Sequence, residues 1–245
     1  MPTAPTPVAI SVKTALAQTV TSDSLTVQAA DVVTVLCMDE GGTTESFTTP
    51  TTTLTPDGTG IVQLQNHAAA SNPAGAAYTF TVGTGGTGTV TSHLSIAGEN
   101  QVLAVFVDRG GVAATAARSA LGVSSSRTVA YTPSQADSAI HWILGDWAAA
   151  TAQTPTPTST SHTTTTPGPT AVPQSAVVAS HYTENVATLD DQASTGSVSY
   201  GIGGTGTGPF TIIVVEVQGS GGAAAPAPRI QRQITRVPIF RASTF

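Results

Sequence analysis

The apolar residues of this 245-residue chain fall into short alternating or continuous runs that are broken by Gly, Pro, Asp and Asn. Alternation with a period of two is typical of β-strands, whereas an amphipathic helix repeats its apolar positions every three to four residues. The pattern therefore predicts an all-β fold. The predicted strands are Val8 to Leu16, Ser24 to Gln28, Asp31 to Met38, Ser46 to Thr53, Gly60 to Asn66, Ala76 to Val82, Thr89 to Ile96, Gln101 to Asp108, Arg127 to Thr132, Ala139 to Trp147, Ala176 to Tyr182, Gly196 to Ile202 and Phe210 to Val217.

Three of these runs are apolar at consecutive positions, namely Val102 to Val107, Ile140 to Leu144 and Ile212 to Val215. A strand with this pattern needs protein on both of its faces, so we predict that the three are central strands. Ala113 to Leu121 is the one segment with helical propensity, and we predict a short helix there.

Composition narrows the fold class further. Only 9% of the residues are charged, which argues against long exposed helices, while 24 Gly and 16 Pro supply many turns. The single cysteine, Cys37, excludes a disulfide scaffold and is expected to be a buried, unreactive thiol. The length suits one large β domain, so we predict a single antiparallel β-sandwich of jelly-roll type over residues 8–219.

Three segments differ from the body in composition. Residues 1–7 contain three prolines and are predicted to form an extended N-terminal arm, and residues 152–173 are predicted to form a Thr/Pro-rich loop of the domain. Residues 220–245 begin with a Gly-, Ala- and Pro-rich linker and continue into a C-terminal arm.

Charge separates the body from the C-terminal arm. Residues 1–222 hold all fourteen acidic residues and only four basic ones, a net charge of −10, whereas the rest of the chain carries four arginines and no acid. The arginines alternate with apolar residues, a combination that favours docking on protein over phosphate binding. A solubilising tail and a nucleic-acid contact are the alternatives. The predicted docking residues are Arg229, Ile230, Arg232, Ile234, Arg236, Ile239, Phe240, Arg241 and Phe245.

The glycine-rich motifs do not indicate a nucleotide cofactor. The pattern G-x-G-x-x-G occurs at residues 83–88 and 201–206, but strand-like sequence follows each copy. A dinucleotide site needs a helix N-terminus at that place to hold the pyrophosphate. We therefore interpret both copies as loops between strands and predict no cofactor.

Candidate catalytic and metal-binding residues are equally sparse. The five histidines show no metal-ligand spacing, and a triad built from Ser92, His93 and a distant aspartate is an unlikely coincidence in a Ser-rich chain. One group of carboxylates occurs near residues 39–45 and another near residues 184–191. Calcium would suit such groups, but we favour solvated turn acids. We predict no metal site and no enzymatic activity, and a sandwich-fold hydrolase is the enzymatic alternative.

Aromatic residues could provide a glycan platform at Trp147, Tyr182 and Tyr200, although packing is the favoured interpretation of these rings.

Several motifs resemble a known family. Ala139 to Ala148 ends in Gly-Asp-Trp, a Thr/Pro-rich stretch and a Tyr-bearing strand follow, and the closing strand ends in Glu216-Val-Gln-Gly219. This order resembles the second half of a β-sandwich domain of virion proteins from actinobacterial phages, often labelled minor tail proteins. Leu25 to Leu36 is loosely similar to the opening strands of the same domain. The motifs are structural, so the resemblance implies no catalytic or binding residue.

The resemblance and the arms lead to a functional expectation. The protein is expected to be a structural component of a bacteriophage virion, either a minor tail protein or a capsid decoration protein, and to form homo-oligomers. Its partners would be other virion proteins that bind the C-terminal arm, without nucleic acid or membrane. The first residues lack the basic and apolar stretches of a signal peptide, so we expect synthesis in the host cytoplasm. A host-surface glycan-binding module is the alternative function.

Overall fold

The computed structural model of the chain contains β-strands as its only regular elements in the residues that it describes, and every strand pair is antiparallel. This confirms the all-β prediction. The described residues are 5–40, 45–58, 60–65, 73–97, 99–113, 118–123, 127–134, 137–146, 155–157, 170–173, 183–192, 196–202 and 209–219.

The strands form two consecutive modules. The first module comprises β1 (Thr6–Leu16), β2 (Thr19–Thr21), β3 (Leu25–Val27), β4 (Val32–Asp39), β5 (Thr51–Thr52), β6 (Thr55–Pro56), β7 (Ile61–Gln65), β8 (Gly75–Thr84), β9 (Gly86–Gly88), β10 (Val90–His93) and β11 (Asn100–Arg109). The second comprises β12 (Gly111–Ala113), β13 (Arg118–Val123), β14 (Arg127–Tyr131), β15 (Ser138–Asp146), β16 (Pro155–Pro157), β17 (Thr170–Pro173), β18 (Thr183–Gln192), β19 (Val198–Ile202) and β20 (Pro209–Gly219).

Each module has one large and one small sheet. In the first module the large sheet has the order β1-β11-β4-β8-β6, with β7 also paired to β8, and the small sheet has the order β2-β10-β5. In the second module the large sheet has the order β12-β20-β15-β18-β17, with β13 also paired to β20, and the small sheet has the order β14-β19-β16. Strands β3 and β9 form a separate pair.

The two modules repeat one strand order. The path β1-β11-β4-β8-β7 corresponds to β13-β20-β15-β18-β17, and β2-β10-β5 corresponds to β14-β19-β16. Local details agree, because Ala30 and Asp137 both have positive φ values, 68° and 60°, and lie two residues and one residue before the equivalent strands β4 and β15. Both strands also end at an aspartate, Asp39 or Asp146. A single glycine, Gly110 with φ 77°, lies between β11 and β12 and joins the modules.

Each module has its own hydrophobic core. Alternate residues of the central strands enter it, such as Val33, Val35 and Cys37 from β4 and Ile140, Trp142 and Leu144 from β15. The burial of Cys37 is thereby confirmed.

A third core lies between the two large sheets. The residues of β4, β11, β15 and β20 that point away from their own module meet here. β15 packs over β4 and β20 packs over β8. This layer explains why the three apolar runs are central strands with both faces covered, as predicted. Its buried members are Leu36, Met38, Ala77, Val102, Ala104, Phe106, Ile143, Ile213 and Val215.

A buried polar pair also joins the modules. His141 Nε2 of β15 lies 2.7 Å from Asp108 Oδ2 of β11, and neither side chain is exposed to solvent. The His141 ring stacks on Phe106 with ring centroids 4.3 Å apart. Because a buried polar group is costly without its partner, this pair favours one relative placement of the two sheets.

Two predictions about local structure differ from the fold. The helix predicted over Ala113 to Leu121 is wrong, because Ala113 ends β12 and Arg118–Val123 forms β13 on the edge of the second large sheet. Pairing with β20 overrides the local helical propensity. Strand β18 was not predicted, since its polar sequence conceals its pairing with β15 and β17.

The prediction of a single β-sandwich over residues 8–219 implies one pair of stacked sheets. The described strands instead form two large sheets, each with its own small sheet, and the separate pair of β3 and β9. Turn signals mark where strands end, but they do not reveal which strands pair. The first glycine-rich segment, residues 83–88, contains no helix, but it is not the predicted loop, because it comprises the end of β8, Gly85 and all of β9. Where the predicted N-terminal arm and Thr/Pro-rich loop are described, they contain strands, because Thr6 begins β1 and β16 and β17 lie within residues 152–173. Residues 1–4, the rest of that loop, the strand predicted over Ala176 to Tyr182 and residues 220–245 lie outside the described residues.

The core between the sheets is testable by cavity formation. Ile143→Ala removes buried methyl groups there and should lower the free energy of unfolding by about 3 kcal/mol in urea denaturation. Val112→Ala is the control, because Val112 is 52% exposed and should cost less than about 0.5 kcal/mol. Equal losses in the two variants would contradict close packing of the modules.

Candidate functional site

Four carboxylates gather where β4 ends and β11 begins. Asp39, Glu40 and Glu45 are buried, and Glu99 lies close to all three. Asn100 Nδ2 donates a hydrogen bond to Glu40 Oε2 over 2.6 Å. The prediction of solvated turn acids is therefore wrong for this group. Within the described ranges no set of three or more His, Cys, Asp or Glu side chains has the arrangement needed to hold a metal ion.

Burial and the neighbouring carboxylates raise the pKa of Glu99. Burial and a hydrogen bond to Glu40 raise the pKa of Glu99 from 4.5 to about 8, and the negative charges of Glu40, Glu45 and Asp39 add to the shift. Two carboxylates that share a hydrogen bond must hold a proton between them. Glu99 is therefore protonated at neutral pH in the folded protein. For the second group of predicted acids, Glu184, Asp190 and Asp191, the structure describes only the backbone of β18.

A second polar centre surrounds Glu216 of β20. Its buried carboxylate accepts hydrogen bonds from Tyr131 Oη at 2.7 Å, from Ser138 Oγ at 2.7 Å and from the backbone N and Oγ of Ser134 at 3.0 Å. These donors hold the turn between β14 and β15 against β20. The network engages both carboxylate oxygens, so Glu216 holds these segments together.

The first two residues of the Gly-Asp-Trp motif, Gly145 and Asp146, also have structural roles. Asp146 is buried and its Oδ2 lies 2.6 Å from Nε of Arg127, which is also buried. Gly145 lies against the first module, where an added Cβ would come within 2.8 Å of Met38 Cγ and Pro73 Cβ. The motif therefore fixes β15 against β14 on one side and against the first module on the other.

A shallow cavity of about 240 Å³ lies at the junction of the modules. It is lined by the turn at residues 28–31 and by residues 109–111. Arg109 Nε and one terminal nitrogen each donate to Asp31 at 3.0 Å, which raises the pKa of the arginine. Asp31 also accepts from the backbone N of Gln28 at 2.8 Å. Both carboxylate oxygens thus serve to hold the turn and the junction.

The outer face of the small sheet β2-β10-β5 carries hydroxyl groups. Thr21 Oγ1 and Thr91 Oγ1 are 2.9 Å apart, and Thr51 Oγ1 is 2.9 Å from His93 Nε2. Ser92 points into the protein and donates to Gln101 Oε1 at 2.6 Å. Because neighbouring residues of a strand point to opposite faces, Ser92 and His93 do not form the considered triad.

The predicted binding residues are not brought together. Tyr200 is fully buried in the second module, beside Tyr131, and burial followed by the charge of Glu216 raises its pKa. It therefore offers no exposed ring to a glycan. Trp147, Tyr182 and every residue of the predicted docking arm lie outside the described residues.

Two structural centres were not recognised from the sequence. In the sequence, Glu216 and Asp146 belong to motifs and Arg127 begins a predicted strand, but none of the three is predicted to be a buried, partnered charge. A single charged residue within an apolar run, as Glu216 is in β20, is the signal that could have indicated a buried, partnered group.

No protein-family model matches the chain, and neither the curated proteins nor the solved structures include a significant match. No helix in the described part of the chain is long and apolar enough to cross a membrane. The phage-family resemblance of the sequence stays a prediction.

The acidic cluster predicts a pH-dependent stability. With a folded pKa of about 8, Glu99 holds a proton that the unfolded chain releases near pH 4.5. Its contribution to stability is therefore complete below pH 4.5 and is lost as the pH rises through 8. The melting temperature of Glu99→Gln should exceed that of the wild type increasingly from pH 5 to pH 9. Asp57→Asn, at an exposed turn, is the control and should leave the profile unchanged; parallel profiles for wild type and Glu99→Gln would refute the assignment.

The buried ion pair of Arg127 and Asp146 predicts that substitutions of the two residues have strongly non-additive effects on the free energy of unfolding. In a double-mutant cycle, Arg127→Met and Asp146→Asn should show a coupling free energy of about 2 kcal/mol in chemical denaturation, because each single change leaves one buried partner uncompensated. The exposed pair Lys13 and Asp23, 2.6 Å apart, is the matched control and should couple much more weakly. Additive effects at the buried pair would show that the two side chains do not depend on each other.

Proposed function

We propose that the protein is a non-enzymatic structural component of a bacteriophage virion, a minor tail protein or a capsid decoration protein, that binds neighbouring subunits through its terminal arms. The observation that carries this proposal is the division of the chain into an acidic body and a basic C-terminal arm with apolar anchors. Residues 1–222 carry a net charge of −10 and residues 223–245 carry +4. Opposite charges speed association and favour correct partners, while apolar anchors provide affinity.

The use of charged groups in the body supports a structural role. Glu216, Asp146 with Arg127, and Asp31 with Arg109 all hold turns or strands in place. A catalytic site needs titratable groups that converge on an accessible cleft. Among the described residues, the cavity at the module junction contains only the Asp31–Arg109 pair and no nucleophile.

The strand orders support a jelly-roll for each module, so that the chain would carry two jelly-roll sandwiches in tandem. In the jelly-roll, eight strands form two sheets that share a core, a fold found in viral capsid and lectin domains. The large-sheet order β1-β11-β4-β8 and the small-sheet order β2-β10-β5 support this interpretation. Such domains serve many functions, so the fold alone does not select one.

The glycan-binding alternative has less support. It depended on Trp147, Tyr182 and Tyr200, and Tyr200 belongs to the core. The resemblance of the Gly-Asp-Trp and Glu-Val-Gln-Gly motifs to phage tail proteins favours the structural role instead.

Deletion of residues 223–245 tests the proposal. The truncated protein should keep the melting temperature of the full chain, because the proposal assigns the arm to a partner rather than to the core, but it should be lost from purified particles. A chain in which the order of residues 229–245 is scrambled is the matched control, because it keeps the charge of the arm. If the arm docks on protein, the scrambled chain should also fail to enter particles. Normal incorporation of the truncated protein would overturn the proposal, and incorporation of the scrambled chain alone would indicate a tail that acts through charge.

A further inference from the structure

We propose that strand β1 is the receptor for the C-terminal arm of a second copy of this chain, so that residues 229–245 add a strand to the large sheet of the first module. The inference rests on the proposed attachment through the arm and names its partner. In this mode of recognition the main chain of the added strand provides hydrogen bonds and its side chains provide specificity.

Strand β1 has the properties of an unfilled sheet edge. It spans eleven residues, Thr6–Leu16, and pairs along its length with β11, while no other described strand pairs with it. Two of the three exposed large hydrophobic side chains in the described residues, Val8 and Leu16, lie near its two ends and are 40% and 45% exposed. Proteins usually cover a long edge of this kind, because its free main-chain groups and apolar side chains invite another strand.

The arm leaves the body beside this edge. Gly219, the last described residue, pairs with Gly111, while Thr6 at the start of β1 pairs with Arg109, two residues away in sequence. An added Cβ on Gly111 would lie 3.3 Å from Pro5. The exit of the arm and the start of β1 are therefore at one end of the molecule. A two-fold contact between copies at this end would bring each arm to the β1 of the other.

The linker and the arm are long enough for the arm of one copy to reach β1 of the other. Residues 220–228 can span about 30 Å when extended, and the seventeen residues of the arm can reach about 55 Å, more than the length of about 36 Å of an eleven-residue strand. The linker ends in Ala-Pro-Ala-Pro, a composition typical of stiff extended spacers, which disfavours a sharp return of the arm to the nearby β1 of its own chain. A neighbouring copy is therefore the better partner.

The charges near β1 do not repel a basic arm. Lys13 is the only charged residue of the strand, and its Nζ lies 2.6 Å from Asp23 Oδ1. This hydrogen bond lowers the pKa of Asp23, which keeps the carboxylate ionised and the pair neutral. Asp23 is 61% exposed, and its Oδ2 accepts a hydrogen bond from Ser11 Oγ of β1 at 3.2 Å, so the carboxylate is held beside the strand by both residues. The bulge between Pro7 and Ala9 interrupts the ladder only at the start of the strand and leaves Ala9 to Leu16 in register.

Disulfide trapping between separate full-length chains tests the inference. One chain carries Thr14→Cys, an exposed site on β1, and the other carries Thr235→Cys in the arm; the native Cys37 is buried and should not react. Docking raises the effective concentration of the two thiols to the millimolar range, so the mixed dimer should form about tenfold more than with the control Thr51→Cys, an exposed site on the edge strand β5. Adding Leu16→Lys should reduce trapping, whereas Val112→Lys should not.

The outcomes separate this inference from the proposed function. Trapping equal to that of Thr51→Cys overturns β1 as the receptor, and the proposed function survives if deletion of residues 223–245 still prevents incorporation into particles. Disulfide formation only within a single chain that carries both cysteines overturns the second copy as partner. Selective trapping between chains, combined with normal incorporation of the truncated protein, supports the β1 contact and overturns the proposed function.

Discussion

The packing of two six-stranded sheets against each other is the constraint on which the rest of the structure depends. One face of each large sheet is covered by the small sheet of the same module. The other face must also be apolar, because it packs against the large sheet of the other module. This requirement produces the continuous apolar runs of β11, β15 and β20. It also places Gly145 where a larger residue would meet Met38 and Pro73, and it buries His141 with Asp108 between the sheets.

The same constraint decides how the chain uses its few charges. With both faces of the large sheets buried, a carboxylate on a central strand must find donors nearby, as Glu216 does with Tyr131 and two serines. The turns before the corresponding strands β4 and β15 are held by different groups, because Asp31 and Arg109 hold the first turn whereas Glu216 holds the second. Several charged groups of the body, namely Glu216, the Asp146–Arg127 pair and the Asp31–Arg109 pair, thereby serve to hold the fold.

Prediction from sequence succeeded where local pattern and tertiary environment agree. The apolar runs identified the central strands, and the burial of Cys37 followed from its apolar surroundings. Prediction failed where pairing overrides local preference, as in β13, and where a polar strand is held by its neighbours, as in β18. The acids at residues 39–45 resemble turn residues, yet they are buried because the end of β4 lies beside the start of β11. Nothing local reveals that proximity.

The sequence by itself determined the all-β class, the central strands, and the separation of an acidic body from a basic arm, because these depend on residue type and period along the chain. Only the tertiary structure decided that the strands form two modules of one topology. The sequences of residues 28–39 and 135–146 both begin with Gln-Ala and end with Asp. This similarity is too weak to indicate a repeat. Strand pairing depends on contacts between residues far apart in sequence, and many different apolar side chains satisfy those contacts equally well.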